Sequence, residues 1–182
     1  MRKISGFTLV ELMVTLAVAA ILAGIAAPSM SSLIRQNRIT SVTNDLVSAA
    51  MYARSEAILR GAQVVLCSTT DTSASSPTCA ATDSWAGGWI VYIDTDGNGS
   101  KGVSETVLRV WPGPQAGITL TPSAANARAM AFSRTGGALG IDGAGTTTAG
   151  ATFSICGGSS VQGRITSFNA TGRATTQRIS AC

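Results

Sequence analysis

The chain has 182 residues, 13 Lys and Arg against 9 Asp and Glu, no His, and a formal charge of +4. That length holds one domain beside a terminal segment and excludes a multidomain machine. Without His, the commonest general acid–base is missing and a Cys/His zinc site is disfavoured.

The first segment is the most informative. Met1-Arg2-Lys3-Ile4-Ser5-Gly6-Phe7-Thr8-Leu9-Val10-Glu11-Leu12 leads into an apolar run that reaches Ala27 with only Thr15 polar. Phe7 to Ala27 spans 21 residues, about 31 Å as a helix, enough to cross a bilayer. A carboxylate inside such a run costs roughly 2.5–3.5 kcal/mol on insertion scales, so Glu11 asks for a partner. A secretory signal peptide shares the basic start, and Ala26-Ala27 imitates its cleavage site. Yet its core is shorter and carries no acid, and Pro28 would follow the cut. A plain anchor explains the length but neither Glu11 nor the Gly-Phe junction. Arg2 and Lys3 precede the run and no base follows before Arg35, which puts the N-terminus in the cytoplasm and the remainder outside.

Residues 29–60 are expected to continue as helix past Pro28. Val42, Leu46, Ala50, Ala53 and Ala57 recur at three and four and draw one apolar stripe. Gly61 after Arg60 reads as the stop. Eight β-prone runs follow: 63–67, 88–93, 106–111, 118–121, 129–133, 151–156, 164–169 and 174–179. Their β-branched content and turn-rich spacing point to antiparallel sheet, and helix-then-strands order to an α+β fold. Trp85, Trp89 and Trp111 are expected in the strand core or capping a sheet edge.

Cys67, Cys79, Cys156 and Cys182 form an even set on the oxidising side, so two disulfides are expected among three connectivities. Chain proximity favours Cys67–Cys79, closing a Ser/Thr-rich loop. Cys156–Cys182 would then tie the last residue to a strand. No Cys-x-x-Cys pair occurs.

The leader resembles the class III leader of type IV pilins and type II secretion pseudopilins. That resemblance implies cleavage between Gly6 and Phe7 by a prepilin peptidase and N-methylation of Phe7. It further implies a contact of Glu11 with the new N-terminal amine of a neighbouring subunit. A narrower resemblance covers nearly the whole chain. Ala50-Met-Tyr-Ala-Arg54-Ser-Glu56-Ala57, Trp85-Ala-Gly-Gly-Trp89-Ile-Val-Tyr-Ile-Asp94, Glu105-Thr-Val-Leu-Arg109, Phe153-Ser-Ile-Cys156 and Thr171-Gly172-Arg173 occur in the order of the GspH/FimT group of minor pilins and pseudopilins. The implied fold is pilin-like: a long N-terminal helix, half transmembrane and half amphipathic, packed on antiparallel sheets. The implied organisation is a leader at 1–6, a membrane and filament-core helix at 7–27, and a periplasmic head at 28–182. The partners implied are other pilins, the peptidase, the inner membrane and its assembly platform. The implied location is the bacterial inner membrane, single-pass, then a pilus or pseudopilus.

Two further motifs bear on function. Asp94-Thr-Asp96-Gly-Asn98-Gly99-Ser-Lys-Gly-Val-Ser-Glu105 fits the calcium-loop pattern D-x-D-x-N-G-x5-E. Strands flank it in place of helices, and Lys101 takes the eighth place, so a hairpin turn is expected, with no metal and no cofactor. Past Ala27, eleven Arg and Lys stand against eight Asp and Glu, a net +3, and Arg128, Arg134, Arg164, Arg173 and Arg178 face only Asp142 in the last third. Some members of the group bind DNA for uptake through a C-terminal Gly-Arg-x-Arg. Here Gly172-Arg173-Ala174-Thr175 lacks the second Arg, and Arg164 and Arg178 would have to substitute. The alternative is arginines facing water or a neighbouring subunit. Asp45, Glu56, Asp71, Asp83 and Asp142 are scattered, and no base accompanies the many Ser and Thr, so no enzyme is expected.

Overall fold

A computed structural model describes residues 6–122, 128–142, 147–159 and 161–182, with only the backbone described at 26–29 and 181. One helix, α1, runs Leu9–Arg60, 52 residues. It starts where Thr8 Oγ1 accepts the Glu11 amide at 3.2 Å, a side-chain cap for an otherwise orphaned donor. It ends where Gly61 takes φ +63°, the left-handed geometry that side chains resist. The helix continues through position 28 without interruption.

The chain divides into two compact units, residues 1–34 and 35–182. In the first, the apolar side chains point outward: Leu9, Val10, Leu12, Met13, Leu16, Ile21, Leu22 and Ile25 are all exposed. Among the described residues α1 alone is long and apolar enough to cross a membrane. In the second unit the helix turns one face inward. Ile39, Val42, Leu46, Ala49, Ala50, Ala53 and Ala57 are buried and share a core with both sheets. The expected stripe is this face. Four of its seven positions are alanines, so the helix axis can approach the strands closely.

Among the described residues ten strands form: β1 (Gln63–Ser68), β2 (Gly88–Asp94), β3 (Val107–Pro112), β4 (Thr119–Pro122), β5 (Ala129–Phe132), β6 (Ala138–Ile141), β7 (Thr147–Ala149), β8 (Ala151–Cys156), β9 (Gln162–Phe168) and β10 (Ala174–Ala181). They form a six-stranded sheet, β3-β2-β1-β5-β6-β7, and a four-stranded sheet, β10-β9-β8-β4. Every paired strand is antiparallel to its neighbour. In β8, Ala151, Phe153 and Ile155 point into the core while the residues between them are half-exposed, the period of a one-sided strand. Central strand β1 differs: five of its six residues are buried. Val64 and Leu66 join the helix-side core, whereas Val65 and Cys67 join a second cluster on the far face with Ile90, Tyr92, Ala129, Ala131 and Ile141. The Cys67–Cys79 bridge brings Cys79 onto that far face.

The tryptophans lie in the helix-side core. Trp85 and Trp89 are fully buried, with Trp85 edge-on to Phe153 at 4.9 Å, and Trp111 is nearly so. Two strands, β6 and β7, lie in chain expected to be loop. Ala138-Leu-Gly-Ile141 and Thr147-Thr-Ala149 are short and carry Gly or small residues, so β6 forms on the edge offered by β5, and β7 on that of β6, rather than from local preference.

Candidate functional site

Three groups of residues invite a functional reading. The first is at the helix start. Glu11 lies in the first turn of α1, exposed amid exposed apolar neighbours. Its carboxylate has no ion-pair partner among the described residues. The amide dipoles of the first turn favour a negative charge there, by about 0.3–1 kcal/mol in water. That is less than the insertion cost of a carboxylate in a bilayer. Gly6 and Phe7 stand immediately before the helix, with Phe7 79% exposed. Among the described residues the segment thus presents a junction free of packing, a greasy rod and a carboxylate without an ion-pair partner.

The second group is the set of C-terminal arginines, and the structure splits it. Arg164 on β9 sits directly opposite Arg178 on β10. Opposed residues share a sheet face with Cβ atoms about 4.5–5.5 Å apart, where like charges repel. Arg164 Nη2 donates to Thr40 Oγ1 at 3.0 Å, while its Nε is buried without a partner. Beside it is a cavity of about 460 Å³ lined by Thr43, Asn44, Val47, Ser48, Arg164 and Thr176. Arg173 belongs elsewhere, five residues up the strand from Arg178, about 17 Å at strand rise. It follows Gly172, whose φ of +75° closes the β9–β10 turn. A Cβ on Gly172 would meet the Gly136 carbonyl at 2.6 Å. Asn169 Oδ1 organises this turn, accepting from the Thr171 and Arg173 amides at 3.1 and 2.9 Å. Thr40 was invisible as a partner in the sequence, since it lies 124 residues from Arg164.

The third group is the β2–β3 connection. Asp94, Asp96 and Glu105 each bring a carboxylate oxygen within 4.8 Å of the others. Asp94 is 3% and Glu105 6% exposed, whereas Asp96 faces water. Asp94 accepts from the Gly97 and Gly99 amides at 2.8 and 2.9 Å and from Gln63 Nε2 at 2.7 Å. Glu105 accepts from the Thr95 amide and hydroxyl and from the Gly102 amide. Asp96 is held by the Asn98 amide and side chain. Lys101 gives its ammonium to the Gly102 carbonyl at 2.8 Å, and no ion pair reaches the three carboxylates among the described residues. Tyr92, two residues before Asp94, is fully buried and its hydroxyl has no partner. Burial raises the pKa of that hydroxyl, the charges of Asp94 and Glu105 raise it further, and Arg128 opposes them. Strand alternation could have put Tyr92 on the Asp94 face; nothing in the sequence announced that its hydroxyl would lack a partner.

Two disulfides, Cys67–Cys79 and Cys156–Cys182, frame the head, the second fastening the end of β10 to β8. No free cysteine occurs among the described residues.

Comparison with known proteins matches residues 42–181 to type II transport protein GspH, and residues 1–27 to the prokaryotic N-terminal methylation motif. No curated protein matches significantly. Among solved structures, the type IV minor pilin FimU of Pseudomonas aeruginosa (strain PAO1) is similar in two crystal forms. In space group P21 the TM-score is 0.54 at 22% identity, covering 78% of this chain and 90% of FimU. In P65 it is 0.51 at 21% identity, covering 76% and 91%. At such identity the likeness speaks for the fold, a long helix on antiparallel sheets. With a family match over most of its length and the methylation motif at its start, the chain belongs to the GspH family: a structural pilin-like subunit, not an enzyme, of the kind that builds type IV pili or type II secretion pseudopili.

Proposed function

We propose that the protein is a minor subunit of a type IV pilus, inserted in the inner membrane and assembled at the filament tip. Maturation cuts between Gly6 and Phe7 and methylates the Phe7 amine. The observation that carries this reading is Glu11: an exposed carboxylate, without an ion-pair partner among the described residues, in the first turn of an apolar helix, five residues past the cut. Once the leader is removed, the amine of the next subunit supplies the missing positive charge. Opposite charges in lipid tolerate burial only as a pair, so the contact sets the stagger of adjacent rods. Residues 7–27 then form the greasy filament core and residues 28–182 the periplasmic face. A secretion pseudopilus is the alternative within the same architecture, since the fold is common to both. Glu11→Ala should leave membrane insertion intact and reduce incorporation into sheared filaments, read by immunoblot. Gly6 replaced by Val should accumulate an unprocessed band in the same cells. Normal incorporation of Glu11→Ala would defeat the charge-partner role.

A second reading, DNA capture for uptake, draws on the register that sets Arg164 opposite Arg178, with Arg164 lining a largely polar cavity. Arg173, in the β9–β10 turn, would contribute to a separate contact.

A further inference from the structure

We infer that the Asp94–Glu105 connection is a calcium site built into the β2–β3 hairpin. The donors are all hard oxygens: three carboxylates within 4.8 Å of one another and, one turn position away, the Asn98 side chain. Such a set suits Ca²⁺ or Mg²⁺ and not a thiolate- or imidazole-seeking metal. Several carboxylates converging from one loop match the larger ion; Mg²⁺ keeps its waters and takes one or two protein carboxylates.

The carboxylates have room to ligate. An ionised carboxylate offers about four lone-pair directions. Asp94 spends three on hydrogen bonds, Asp96 two and Glu105 three. Each retains a free direction, while its amide donors fix its position. The two features that argue against calcium in the sequence lose their force. Lys101 turns its ammonium to a carbonyl, away from the acids. The flanking strands pair in register from Gly88↔Pro112 to Val91↔Arg109, with a bulge before Tyr92↔Val107, and hold the two loop ends together as an EF-hand's helices do.

Tyr92 supplies an observation independent of the acids. It stands on the far face of the six-stranded sheet, with Ile141 in the same cluster. The loop folds back over that face, because a Cβ on Gly99 would meet Ile141 Cδ1. Tyr92 therefore lies on the face that the loop covers, its hydroxyl buried without a protein partner among the described residues and near enough to feel the charges of Asp94, Glu105 and Asp96. A buried hydroxyl of this kind is costly unless it donates. A bound ion answers both demands: it balances acids that lack a cation, and a coordinated water or a re-aimed carboxylate oxygen accepts the phenolic proton.

The test uses the full chain in detergent, stripped with chelator, titrated with CaCl2 and separately with MgCl2 by calorimetry, alongside thermal melts. The expected result is one saturable Ca²⁺ site in the range of extracellular modules, a Kd of about 10⁻⁴–10⁻³ M, with a higher melting temperature in Ca²⁺. Mg²⁺ should bind at least about tenfold more weakly. Asp96→Asn, an exposed change that keeps the fold, should weaken Ca²⁺ about tenfold or more and leave the melt in chelator unchanged; Glu105→Gln should lose the site. No heat and no melting shift at about 10 mM Ca²⁺ would overturn the inference, as would wild-type affinity in Asp96→Asn or equal affinity for Mg²⁺.

Discussion

Removing the Cys156–Cys182 bridge, as Cys156→Ser with Cys182→Ser, should loosen the whole C-terminal edge. The bridge joins residues 26 apart. In the chain-entropy account, closing a loop of that length in the unfolded chain is worth about 3.5 kcal/mol at 25 °C. The Cys67–Cys79 bridge closes only 12 residues, about 2.8 kcal/mol by the same relation. For a head of this size, 1 kcal/mol moves the melting temperature by about 2–4 °C. The double serine variant should therefore melt about 7–14 °C lower. Fluorescence melts of wild type and variant in the same detergent, each with and without reductant, provide the assay. Reductant should bring the wild type down to the variant or below it, since it opens both bridges. The loss should appear first in β10, whose residues are mostly exposed and whose neighbour on one side only is β9. Hydrogen exchange resolves that: amides of β10 should exchange faster while those of β1 keep their protection. A melting shift below about 2 °C would mean that β10 is held by its ladder alone, and would refute the reasoning.

Leu46→Ala, at a fully buried position on the helix face, should cost about 2–5 kcal/mol in urea unfolding, since the rod cannot collapse into the gap; a cost under about 1 kcal/mol would contradict the packing described. If the arginine pair meets DNA, Arg164→Gln with Arg178→Gln should lower the slope of log affinity against log salt by about 2 in gel shifts with duplex DNA. No shift by the wild type at low salt would dismiss that reading.

Periodicity made the helix legible. Its stripe depends on spacing alone, and each stripe residue is buried. Interior strands of the head were also readable, because Trp89-Ile-Val-Tyr on β2 and Phe153-Ser-Ile on β8 combine aromatic and β-branched side chains. Strands β6 and β7 were not, since weak formers such as Ala138-Leu-Gly take strand geometry only when a partner offers its edge. Register was beyond reach as well. Arg164 and Arg173 are nine residues apart and Arg164 and Arg178 fourteen, yet the hairpin joins the farther pair. The acids of the β2–β3 turn were visible as a motif; that two are buried above an unpartnered tyrosine follows only from folding the loop back onto the sheet.

Four alanines seat the helix on its sheets. A methyl is a short spacer with no rotamers to yield, so a tug along residues 39–57 is passed to the strands by stiff, close contacts. Long side chains would have acted as springs. Within the head, the strands should move with the helix segment they cover, without lag.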